Sequence, residues 1–173
     1  MKRLERLARG FASDVSDLLN RTITQDVSVS AVLVPPDRFM VAAGITKKRL
    51  TPKIIRLTTS GRLPSAYLRF VCTLEMDLAD SYLTVWKSSV AVHADQEGEL
   101  TLCRYDYELV PAHGYPGPHV QVAGTSPALD KIRERRPAVA TELGQLHFPV
   151  GGRRFRPTLE DIVELPRPRG HLR

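Results

Sequence analysis

The chain has 173 residues, 42% apolar and 25% charged, which suits one folded domain burying about two-thirds of its unfolded surface. That balance excludes a globally disordered chain, and no run approaches the roughly 18 apolar residues needed to span a bilayer. Net charge is +6, and the segment 131–173, with ten Lys or Arg against five acids, carries most of the excess, as a polyanion-binding protein would.

Residues 3–20 place Leu4, Leu7, Ala8, Phe11, Val15, Leu18 and Leu19 at helical spacing, an amphipathic helix whose apolar stripe must dock on a sheet or on a partner. Gly10 weakens it by roughly 1 kcal/mol relative to Ala. The basic start (Lys2, Arg3, Arg6, Arg9) is interrupted by Glu5, Asp14 and Asp17 and leads into no apolar signal core, so a cytoplasmic location is expected. Residues 26–34 alternate and predict a first strand, ended by Pro35-Pro36-Asp37; residues 38–43 form its short partner. Lys47-Lys48-Arg49 is a solvated loop, and 54–59 a further short strand.

The centre of the chain is 66–109. Residues 66–76 put Ala66, Leu68, Phe70, Cys72, Leu74 and Met76 on one face and Tyr67, Arg69, Val71, Thr73 and Glu75 on the other, the period of a strand. The next strand carries Tyr82, Trp86, Val90 and Val92 on one side and Leu83, Val85 and Ala91 on the other, which predicts a strand covered on both faces. Asp95-Gln96-Glu97-Gly98 is a hairpin loop. The third strand begins in phase at Leu100 and Leu102, then shifts to Cys103, Tyr105, Tyr107 and Leu109, and the shift predicts a β-bulge near Leu102–Cys103. Cys72 and Cys103 both fall inside strands and read as buried, reduced thiols.

A Pro/Gly loop at 111–118 leads to a last strand, 119–123. Ser126-Pro127 opens a helix carrying Leu129 and Ile132. A short apolar segment at 146–150, a basic loop at Gly151-Gly152-Arg153-Arg154-Phe155-Arg156 and a helix capped by Thr158 complete the domain. The expected fold is α+β: one antiparallel sheet of six to seven strands, one N-terminal and two C-terminal helices, a single domain over 1–165 and a flexible basic tail at 166–173.

The candidate site is Arg104, Tyr105, Asp106 and Tyr107 on the third central strand, with His119 and Gln121 on the next. If these strands pair across the Pro/Gly loop, a cation, a carboxylate, phenols and an imidazole meet at one sheet end. That set could hold a phosphate and move a proton near neutral pH, the chemistry of metal-independent RNA cleavage. Cross-strand Arg–Asp pairs and tyrosine hydroxyls also commonly do no more than satisfy a sheet edge. Arg153, Arg154 and Arg156 are candidate contacts to an RNA backbone; the glycine-arginine loop lacks the lysine-serine pattern of a nucleotide site. His113 and His119, with His147 or Asp106, match zinc spacing poorly, so neither metal nor cofactor is expected.

The runs RYDY at 104–107, PHVQV at 118–122, YLTVWKSS at 82–89 and HFPVGGRRFRPTLEDIVE at 147–164 resemble a family of uncharacterised actinobacterial proteins. More distantly, a strand ending in Arg-Tyr-Asp, a histidine-bearing loop and a closing helix resemble the TumE-type toxins of toxin–antitoxin pairs. That likeness implies Arg104, Asp106 and His119 as the residues of interest and an antitoxin as partner, although Gln121 stands where a second histidine is expected. The two functional expectations are a cytoplasmic, RNA-directed, toxin-like protein without membrane contact, and a non-catalytic module binding a protein partner or its own copy as a homodimer.

Overall fold

The computed structural model describes residues 1–58, 66–111, 117–135 and 143–150. The helix α1, Lys2–Thr22, buries Leu4, Ala8, Ala12, Val15 and Leu19, the stripe the spacing predicts. Its last turns also grip the chain that follows. Asn20 donates through Nδ2 to the Val27 carbonyl at 2.8 Å and accepts from the Val27 N–H at 2.9 Å, while Ser16 Oγ accepts from the Val29 N–H. These contacts and Asp26, at φ 58°, delay the first strand, so β1 is Val29–Val34 and not the longer 26–34 segment. At its other end, Arg3 donates to the carbonyls of Asp80 and Ser81, pinning α1 to the turn between two central strands.

The sheet is antiparallel throughout. Its further strands are β2 (Arg38–Ala43), β3 (Ile55–Arg56), β4 (Tyr67–Met76), β5 (Leu83–His93), β6 (Thr101–Glu108), β7 (Pro118–Val122) and β8 (Phe148–Pro149). The order is β1-β2-β4-β5-β6-β7-β8, with the two-residue β3 lying on β4. A helix α2, Pro127–Arg135, and a 3₁₀ turn, Leu143–Gln145, link β7 to β8. The fold is thus α+β with one antiparallel sheet of eight strands among the described residues, two of them mere two-residue pieces. The loop residue His113, the basic loop with Arg153, Arg154 and Arg156, the helix expected after Thr158 and the C-terminal tail lie outside the described residues.

Two single-residue insertions set the faces. Val92 faces Cys103 while His93 faces Thr101, so Leu102 is the extra residue, where the phase change predicts a bulge. Thr73 faces Lys87 while Leu74 faces Val85, so Trp86 is a second extra residue. That bulge corrects the expectation for β5. Leu83 and Val85 are swung onto the same face as Val90 and Val92, and all four pack with the α1 stripe, Phe39, Val41, Leu68, Phe70, Cys72 and Leu74. The apolar residues that alternate out of phase in sequence therefore cover one face, not two.

Beside a small cluster of Val32, Ala42 and Ile45, the opposite face is polar. Arg38 pairs with Glu75 at 2.7 Å and lies 3.6 Å over the centroid of the Trp86 ring, while Lys87 pairs with Glu108. Both cysteines are free thiols; Cys72 is buried, and burial pushes the half-buried Cys103 thiol up, against a smaller opposing effect of the Val92 backbone. Among the described residues no helix is long and apolar enough to cross a membrane.

Two substitutions in α1 test the docking. Leu19 is fully buried, so Leu19→Ala should lower the urea-unfolding free energy by about 2–5 kcal/mol. Around a Cβ built at Gly10 nothing lies within 4 Å, so Gly10→Ala should raise stability by about 0.5–1 kcal/mol. An unchanged midpoint for Leu19→Ala would show that the helix does not form part of the core.

Candidate functional site

On β6 the pleat sends Arg104 and Asp106 to the polar face. The register of β6 with β7 sets Gln121 directly opposite Arg104 and His119 directly opposite Asp106. The short pairing of β8 with β7, His119 to Pro149 and Val120 to Phe148, then brings His147 alongside. The five side chains join into a ring. Arg104 Nε stands 2.6 Å from Asp106 Oδ2, and Arg104 Nη2 donates to Gln121 Oε1. Gln121 Nε2 meets His147 Nε2 at 3.0 Å, the His147 and His119 ring centroids are 4.7 Å apart at 55°, and His119 Nε2 lies 3.6 Å from Asp106 Oδ2.

The network fixes protons. Since Gln121 Oε1 accepts from Arg104, its amide nitrogen must donate, so His147 Nε2 is the acceptor and the neutral ring carries its hydrogen on Nδ1. The 3.6 Å separation of His119 from Asp106 is too long for a hydrogen bond. Arg104 Nε, though close to the carboxylate, has no aligned acceptor, so that contact is ionic. Exposure falls inward across the ring: the Arg104 side chain is 38% exposed, that of Asp106 14%, and His119 as a residue 7%.

Of the residues expected here, Arg104, Asp106, His119 and Gln121 are brought together. Tyr105 and Tyr107 are not. They alternate to the helix-covered face, where Tyr105 sits between Val90 and Val120 and Tyr107 between Ser88 and Pro118. The period of two that assembles the arginine and carboxylate excludes the residues between them. His147 enters the ring through β8, which is too short to announce itself in sequence. Among the described residues no three His, Cys, Asp or Glu side chains are grouped to hold a metal ion.

A second polar cluster, not foreseen in the sequence, lies one row away. His93 is 2% exposed, with Thr101 Oγ1 3.2 Å from its Nδ1. Burial first, then the nearby Arg69 guanidinium, pull its pKa below the ordinary value, with Asp95 opposing. The hairpin that covers it is held by Asp95, whose carboxylate accepts from the N–H groups of Glu99 and Leu100. Desolvation pushes its own pKa up, but those bonds together with its own backbone N–H and the nearby His93 bring the net shift below the ordinary value.

The chain matches no family model, no curated protein and no solved structure.

Two measurements probe these clusters. Asp106→Ala leaves Arg104 and His119 without their carboxylate and should cost about 1–3 kcal/mol in urea unfolding; a loss below about 0.5 kcal/mol would mean that the ring adds nothing to stability. For His93 the unfolded chain binds a proton at higher pH than the native chain. Its contribution is therefore complete above about pH 6.5 and is lost as pH falls below that value. His93→Gln should flatten the fall in melting temperature between pH 7 and 5, and an equally steep profile would refute the assignment.

Proposed function

We propose that the protein is RNA-directed, a toxin-like member of a bacterial toxin–antitoxin-type pair that engages RNA over the face bearing Arg104, Asp106 and His119. One observation carries this reading: those three side chains lie side by side, with the guanidinium outermost and Gln121 and His147 closing the set. The net charge of +6 favours a polyanion. Arg104 supplies the phosphate contact, and Asp106 and Gln121 hold its fork in place. His119, 7% exposed with its ring against that of His147, is a positioning residue beside Asp106.

A second reading, a non-catalytic interaction module, is favoured by the exposed apolar residues Leu100, Leu102 and Val122 at one end of the β6–β7 pair.

Fluorescence anisotropy with a single-stranded RNA oligonucleotide separates the two. The RNA-directed protein should bind with an affinity that falls as salt rises, by about 0.7 in log K per log salt for each phosphate contacted. Arg104→Ala should weaken it, and His119→Asn should leave it within about threefold. No binding at low salt, together with salt-insensitive self-association, would favour the interaction module. Induced expression adds the cellular readout: growth arrest abolished by Arg104→Ala supports the toxin-like reading.

A further inference from the structure

Three buried side-chain nitrogens lack a hydrogen-bond partner among the described residues: Arg69 Nε, His93 Nε2 and Arg104 Nε. All three belong to one patch. Arg69 on β4 and Arg104 on β6 stand directly opposite Ala91 of β5, one on each side, and His93 follows Ala91 by two residues on the same face. Ala91 is fully buried at the centre of this triangle. The two arginines start two strands apart, roughly 9–10 Å between backbones, on either side of Ala91.

The charge balance of the face singles out Arg69. Arg38 is matched by Glu75, Lys87 by Glu108 and Arg104 by Asp106. Arg69 has no carboxylate partner among the described residues. A guanidinium whose Nε is removed from water without an acceptor is costly, and an oxyanion relieves that cost by accepting from several N–H groups at once. The neighbouring imidazole contributes in the same sense. In the tautomer in which the Thr101 hydroxyl donates to Nδ1, the His93 proton sits on Nε2 and offers a further donor.

We propose that Arg69 and Arg104, flanking Ala91, form a phosphate-binding site, with His93 Nε2 as an additional donor. The proposal rests on the RNA-directed reading and deepens it, because it names the phosphate group as what the face holds and Arg69 as its principal anchor. The same chemistry would take inorganic phosphate or a phosphodiester of RNA, and the experiment distinguishes the two.

The full chain is unfolded thermally while inorganic phosphate replaces chloride at constant ionic strength. A saturable rise in melting temperature is expected, and Arg69→Met should shift its half-saturation to at least about tenfold higher phosphate. Any general salting-in or salting-out effect persists in the variant and cancels in the comparison. Arg69→Lys keeps the charge but loses the fork, so its half-saturation should fall between the two, and it carries the comparison if the methionine variant does not fold. No saturable rise, or the same half-saturation in the wild type and the variants, overturns the site. Anisotropy with the labelled RNA oligonucleotide gives the second arm. RNA displaced by phosphate and weakened by Arg69→Met supports both site and reading. Phosphate bound without RNA binding keeps the site and ends the RNA-directed reading. RNA bound equally well by Arg69→Met ends the site and leaves that reading standing.

Discussion

The pleat of a strand sends neighbouring side chains to opposite sides, and a single inserted residue reverses that assignment for everything beyond it. β5 carries such an insertion at Trp86. Below it, Leu83 and Val85 face the helix; above it, Val90 and Val92 do the same, although the two pairs are out of phase in sequence. The displaced indole goes to the other face and stacks beneath Arg38, which is already tied to Glu75. The insertion at Leu102 acts locally in the same manner: it brings the Thr101 hydroxyl opposite His93, where an unbroken ladder would have set a leucine. One covered apolar face and one polar face follow from these two residues.

The helix-covered face is ordinary in its energetics. A long stripe on α1 meets alternating residues of four strands, and loss of any fully buried member leaves a cavity that neighbours fill only in part. The polar face works differently. Its ion pairs are partly exposed, so each contributes little to stability alone. Their arrangement matters more than their sum, because pairing consumes the acids Glu75, Glu108 and Asp106 and leaves Arg69, opposite Ala91, with no carboxylate partner among the described residues.

Much of the fold was legible in the sequence because period-two alternation is strong in 66–76 and 101–108 and helical spacing is strong in α1. The Leu102 bulge could be read from the phase change. The Trp86 bulge could not, since apolar residues on both sides of a strand look the same whether the strand is doubly covered or interrupted. The start of β1 was misplaced because Asn20, a side chain seven residues away, takes the backbone groups of Val27 that a ladder would otherwise use. At the site, Arg104, Asp106, His119 and Gln121 could be grouped from alternation and one assumed pairing. Tyr105 and Tyr107 were grouped with them by sequence adjacency, which the pleat overrules. His147 and the Arg69–His93 pair depend on cross-strand register, and register is set by contacts between distant segments that a single sequence does not display.

The two polar clusters differ in what remains unsatisfied. In the Arg104–Asp106–His119–His147–Gln121 ring each member faces another, the amide orientation and one imidazole tautomer are fixed by that closure, and the innermost ring is 7% exposed. Such closure gives rigidity and holds the Arg104 fork in one orientation, which is what support for a binding group requires. Beside Ala91, by contrast, Arg69 Nε and His93 Nε2 are buried without a hydrogen-bond partner among the described residues. Recognition of an anion depends on donors that are fixed in place but not already matched. The ring meets the first condition for Arg104, and Arg69, whose Nε is buried without an acceptor among the described residues, meets the second.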